Sequence, residues 1–147
     1  MPPANQPTLD LSPGSLIHIQ GFSSPGYDPK NKFLIILGNH GQETVLAFRI
    51  TSQAEYLNTY RARELVHIPA GTAKTLPKDC YIQCFNEVER LSVAELNAGF
   101  QKGKVMNRGN LRVFLVHIMA VVEVSDVLEP QDVADVTATI EHAMKNP

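Results

Sequence analysis

Lys32-Phe33-Leu34-Ile35-Ile36-Leu37-Gly38 is almost continuously apolar, rich in branched side chains and bounded by Asn31 and Gly38. A run of that kind reads as a strand buried on both faces. Val45-Leu46-Ala47-Phe48-Arg49-Ile50 is a second β-type run, and it stops abruptly at Thr51-Ser52-Gln53. Between them, Gly38-Asn39-His40-Gly41 tolerates positive φ, so the two runs pair as a hairpin. In an antiparallel pair Lys32 and Thr51 then lie side by side. A cation beside a cluster of hydroxyl and amide groups is a small anion-handling site. The same spacing is also met by ordinary polar residues at strand ends.

Working outward, Ser15-Leu16-Ile17-His18-Ile19-Gln20 alternates and reads as the preceding strand. The stretch 21–31 holds Gly, Ser, Pro and Asp, and reads as an irregular loop, long for a hairpin. Residues 1–12, rich in Pro and polar groups, read as a flexible arm, and 13–147 as one domain. After Gln53, the segment 54–63 reads equally as a short helix or a loop. Its Tyr56, Tyr60, Arg61 and Arg63 form the densest cation-plus-aromatic patch of the chain, a composition suited to single-stranded nucleic acid or to a solvated basic edge. Leu65-Val66-His67-Ile68-Pro69 is a short strand ended by proline. Cys80 to Phe85 is another, which 86–91 continues or bends.

Ser92 reads as a helix N-cap, with Glu95 completing a capping box. Asn110 reads as the cap of a second helix, with Leu111, Leu115, Ile118 and Val122 at helical spacing; a strand over 112–124 is the alternative. Pro130 suits the first turn of a last amphipathic helix facing inward with Val133, Val136, Ile140 and Met144. These two stripes read as core or dimer contacts. Strands first and helices late predict an α+β architecture, mostly β, with a small curved sheet or barrel and C-terminal helices.

The 147 residues carry a formal net charge of −2, so any nucleic-acid contact must come from a local basic patch. No run is long enough to cross a bilayer, and the start lacks the basic and apolar regions of a secretory signal. A cytoplasmic protein with no membrane association is the expectation. Cys80 and Cys84 lack a second ligand pair at metal spacing. On one strand they stand roughly 13 Å apart, too far for a disulfide, and so read as two reduced core thiols. No Gly-rich phosphate loop, nucleophile elbow or paired Glu/His motif is present; no metal and no cofactor is expected. Among the five histidines, His117 reads as a core residue, and His18 as the one placed to move a proton beside Lys32. Asp28, with Tyr27 on the same loop, is the nearest carboxylate.

The order of these motifs resembles the MazF/PemK toxin family, over 14–124. Gly14-Ser15-Leu16-Ile17-His18-Ile19 resembles its opening strand, and Lys32 to Gly38 its Arg-Pro-Ala-Val-Val-Leu-Ser strand. Ile50-Thr51-Ser52-Gln53 is similar to its Thr-Thr/Ser-Gln strand end. Asn86-Glu87-Val88 resembles its Asp-Gln-Val, and Gly103-Lys104-Val105 its closing turn. Lys32 stands where the family carries arginine, a single mobile charge in place of a planar fork. The resemblance implies an SH3-like antiparallel barrel that cuts single-stranded RNA without a metal. It implies catalytic roles for Lys32 and Thr51, helped by Asp28 or His18, and RNA contacts by Ser52, Gln53, Lys30, Tyr56, Arg61 and Arg63. It also implies a homodimer and an antitoxin-like partner protein. A non-catalytic SH3-like module binding a peptide or protein is the alternative.

Overall fold

A computed structural model describes residues 8–22, 30–52, 60–85 and 88–145. In chain order come β1 (Ser15–Phe22), β2 (Lys30–Asn39), β3 (Thr44–Thr51), β4 (Leu65–Ile68), β5 (Cys80–Gln83), β6 (Glu89–Ser92), α1 (Val93–Gln101), β7 (Val105–Asn110), α2 (Leu115–Glu123) and α3 (Pro130–Lys145). One-turn 3₁₀ segments at Tyr60–Glu64 and Arg112–Phe114 precede β4 and α2. The architecture is α+β. No helix among the described residues is long and apolar enough to cross a membrane.

The seven strands form one antiparallel sheet in the order β4-β5-β3-β2-β1-β7, with β6 added beside β3. Strand β3 divides its outer edge: Thr44 to Ala47 pair with β6, and Ile50 and Thr51 pair with β5. Among the described residues the ladder stays open between β4 and β7, where a closed barrel would join them. The β4–β5 loop spans part of that gap, the Thr75 hydroxyl donating to the Arg108 carbonyl on β7 (3.1 Å).

The central hairpin has the double burial expected of its sequence. Leu34, Ile35, Ile36 and Leu37 are all fully buried, and alternation sends them to two different cores. Leu16, Ile35, Leu37, Leu46 and Phe48 pack with the buried faces of α2 and α3. Ile17, Leu34, Ile36, Val45 and Ala47 pack on the other side with Leu96 of α1. Each such side chain contributes about 1.5–3 kcal/mol by burial. At the turn end Gly38 adopts φ +149°, where the β2–β3 register shifts. A Cβ there would stand 2.8 Å from Thr139 Cγ2 of α3. Gly14 (φ +91°) is held tighter, since an added Cβ would overlap Arg112 backbone. Its amide donates to Ile36 O (2.7 Å), and its carbonyl accepts from Leu111 N (2.6 Å).

Several local expectations hold. Ser92 Oγ accepts from Glu95 N (3.2 Å) at the start of α1. Leu115, Ile118 and Val122 are buried on α2 and Leu111 just before it; Asn110 is not the helix cap but the end of β7, its Oδ1 accepting from Arg112 N (2.8 Å), and Leu111 and Phe114 stand at the N-caps without a side-chain bond. Cys80 and Cys84 are free and buried. Three expectations need correction, and one strand, β7, was not foreseen. Residues 8–12 are not a loose arm: Leu9 joins the second core, and Asp10 exchanges backbone hydrogen bonds with the Asn107 side chain (both 2.7 Å). β6 leaves β5 instead of continuing it, because its ladder lies with β3. Val105–Asn110, with little apolar alternation, is a strand. On α3 the inward set is Val136, Thr139, Ile140 and Ala143, while Val133 is half-buried and Met144 exposed. Val133, Val136 and Ile140 thus face the core as read from the sequence, and Met144 alone departs.

Candidate functional site

Strand β2 begins, and β3 ends, at the same edge of the hairpin. Phe33 faces Ile50 across the pair, and one position further the register brings Lys32 opposite Thr51. An open cleft of about 310 Å³ lies here. Asn31, Lys32 and Phe33 bound it on β2, Ile50, Thr51 and Ser52 on β3, and Thr75, Leu76, Pro77, Lys78 and Cys80 on the β4–β5 connection. Two lysines and three hydroxyls thus line the same cleft as apolar Phe33, Ile50 and Leu76. Among the described residues, no carboxylate lines it. The arrangement suits an anion with a flat apolar moiety attached.

Asp79 sits between two lining residues, yet its carboxylate is engaged elsewhere. Oδ1 accepts from Ala70 N (2.9 Å) and lies 3.1 Å from His67 Nε2. The Ala70 hydrogen bond, with that of His67, holds Asp79 below the usual carboxylate range. Burial, with Asp79 beside it, pushes the Cys80 thiol up, so it is a poor nucleophile.

Strand alternation adds a second arrangement. Phe33 and Ile50 belong to the face of the larger core. On the other face a row crosses the sheet from Thr51 through Tyr81 to His67. The His67 and Tyr81 rings stack with centroids 5.3 Å apart. Beside this row Arg49 pairs with Glu89 (2.7 Å) and stands over the Phe22 ring.

The sequence-derived residues divide clearly. Lys32, Thr51 and Ser52 share the cleft. His18 does not line it: the ring packs on Phe33, centroids 4.7 Å apart. Burial, then the nearby Arg108 charge, lowers the His18 pKa, favouring the neutral imidazole. Arg63 is away from the cleft, in an exposed pair with Asp126 at 2.6 Å. Lys30 opens β2 opposite Phe22, and Arg61 lies in the 3₁₀ segment before β4; their side chains lie outside the description. Asp28, Gln53 and Tyr56, with Tyr27, lie outside the described residues. His117 needs correction: it is exposed, because Leu115, Ile118 and Val122 define the buried side of α2.

Lys78, Thr75 and the His67–Asp79 pair have no role in the sequence reading. The only local signal was a polar loop carrying lysine, and long-range pairing is what brings it to the hairpin end. No family model and no curated protein matches this chain.

Proposed function

We propose that this chain acts on single-stranded RNA, as a MazF/PemK-like endoribonuclease on an SH3-like scaffold or as a degenerate relative. The reading rests on the cleft in which Lys32, Thr51 and Ser52 meet. A phosphodiester enters as the anion, and its base packs against the partly exposed Phe33. The ribose 2′-oxygen attacks the adjacent phosphorus, the bond to the 5′-oxygen breaks, and a cyclic phosphate and a 5′-hydroxyl result. Lys32 and the hydroxyls of Thr51 and Ser52 offset the charge that builds on the non-bridging oxygens. Asp28 is proposed to take the 2′ proton, since His18 packs on Phe33 outside the cleft, and a proton returns to the leaving oxygen. An antitoxin-like protein would act by covering this cleft.

The purified chain is incubated with mixed-sequence single-stranded RNA in EDTA. Cleavage is expected, with a loss of at least about tenfold in Lys32→Ala and in Thr51→Ala, the effect of removing one transition-state donor. One observation favours a second reading, a non-catalytic module that binds a peptide or protein. Neither a carboxylate nor an imidazole lines the cleft among the described residues. Absence of cleavage, with no toxicity on expression, would select that reading.

A further inference from the structure

Strand β7 carries one residue more than the strand it pairs with. Leu16 stands opposite Gly109 and Ile17 opposite Asn107, so Arg108 is the extra residue of a β-bulge. A bulge re-aims a side chain, and bulges are frequent beside functional sites. Here the Arg108 guanidinium turns back along its own strand, with Nη2 3.1 Å from Met106 Sδ. The Arg108 carbonyl accepts from the Thr75 hydroxyl (3.1 Å), and Thr75 lines the cleft. The bulge is thus fastened to the cleft wall.

Register extends the cleft toward this arginine. Phe33, which lines the cleft, stands across from His18, and His18 across from Met106. Leu16 and Ile35, two residues along the same face, are fully buried, whereas Phe33 and His18 are half-buried and Met106 is exposed. The His18 and Phe33 rings lie 4.7 Å apart at 46°. Burial, then the Arg108 charge, lowers the His18 pKa, so a neutral ring sits beside the guanidinium without like-charge repulsion. From the cleft outward the order is therefore cations, ring, ring, cation: Lys32 and Lys78, Phe33, His18, Arg108. Rings that take bases and cations that take phosphates are what single-stranded nucleic acid needs. Adjacent strands stand about 4.8 Å apart, so the row from Phe33 to Met106 adds about 10 Å to the cleft, room for a further base.

We infer that bound RNA continues past the cleft along this row, its next base stacked on His18 beside Met106 and the following phosphate on Arg108. His18 is then a binding residue and takes no proton. The inference rests on the RNA reading of the cleft and deepens it, because it requires a substrate longer than a dinucleotide.

Calorimetric titration of the full chain with mixed-sequence 2′-O-methyl oligonucleotides tests it, since these lack the attacking hydroxyl and stay uncut. Circular dichroism establishes that each variant is folded. The wild type is expected to bind a tetranucleotide at least about tenfold tighter than a dinucleotide, the scale of one base stacked on a ring. His18→Ala removes most of that gain, and His18→Phe, which keeps a ring but no titratable group, retains it. Arg108→Gln lowers the slope of log affinity against log salt by about 0.7 for the tetranucleotide, the share of one phosphate. Failure of the wild type to bind either length overturns the RNA reading, and this inference with it. Binding whose gain with length survives both His18→Ala and Arg108→Gln overturns this inference alone. A gain lost equally in His18→Phe overturns the stacking role of His18.

Discussion

The two ends of the central hairpin are built from the same two strands and behave as opposites. At the turn end, Gly38 is wedged beside Thr139, Gly14 is clamped between Ile36 and Leu111, and β6 completes the outer edge of β3. Arg90 of β6 ties this end to α3 by reaching Asp132 and Asp135 (2.8 Å each). At the other end, Lys32, Thr51 and Ser52 border an open cleft. The contrast teaches where this chain places its rigidity. Close-packed backbone at one end fixes the hairpin, and polar groups at the other are held in register without being enclosed.

That contrast is sharpest at Gly14. Gly14→Ala forces a Cβ into Arg112 backbone at a positive φ, and a stability loss of roughly 3 kcal/mol is expected in urea unfolding. A loss below about 1 kcal/mol would show that the turn end yields. Gly38→Ala meets a side-chain methyl instead of backbone, and a smaller loss of about 1–2 kcal/mol is expected.

The Arg90 tie is weaker and depends on pH. The Arg90 hydrogen bond, with that of Gln131, holds the Asp135 carboxyl below its ordinary range. A group with a depressed folded pKa stabilises above its unfolded pKa and loses that contribution as the pH falls through the folded one. Asp135→Asn should lower Tm at neutral pH, and the deficit should vanish in strongly acidic solution. An equal deficit at every pH would assign the effect to packing.

The smallest stability effect is expected at the open end. Lys32→Ala and Thr51→Ala should each change unfolding stability by less than about 1 kcal/mol, while any RNA cleavage falls as described above. A large loss of stability in either would mean that this end, too, is structural, and would erase the distinction between the two ends.

The hairpin was legible because burial on both faces leaves a local trace, an unbroken branched run. Helix α1 was legible through Ser92, and the inward residues of α2 through spacing. His117 was misread because an apolar neighbourhood in sequence does not say which side of a helix lacks a partner. β7 escaped because Val-Met-Asn-Arg-Gly-Asn owes its extension to the ladder with β1, not to its own propensity. Lys32 with Thr51 and Ser52 was legible as strand-end chemistry. Lys78 and Thr75 were not, since a loop residue becomes part of a cleft only when distant pairing brings it there.

By itself the sequence determined the hairpin, its turn, the Ser92 cap of α1 and the placing of Lys32 and Thr51 at one end of the hairpin. Those are short-range matters, set by side-chain branching, glycine φ and the two-residue period of a strand. The tertiary structure alone decided that β3 shares its edge between β5 and β6, that the β4–β5 loop walls the cleft, and that one face of α2 stays uncovered. Each of these depends on which distant surfaces bury one another, and hydrophobic burial carries no direction that local sequence could record.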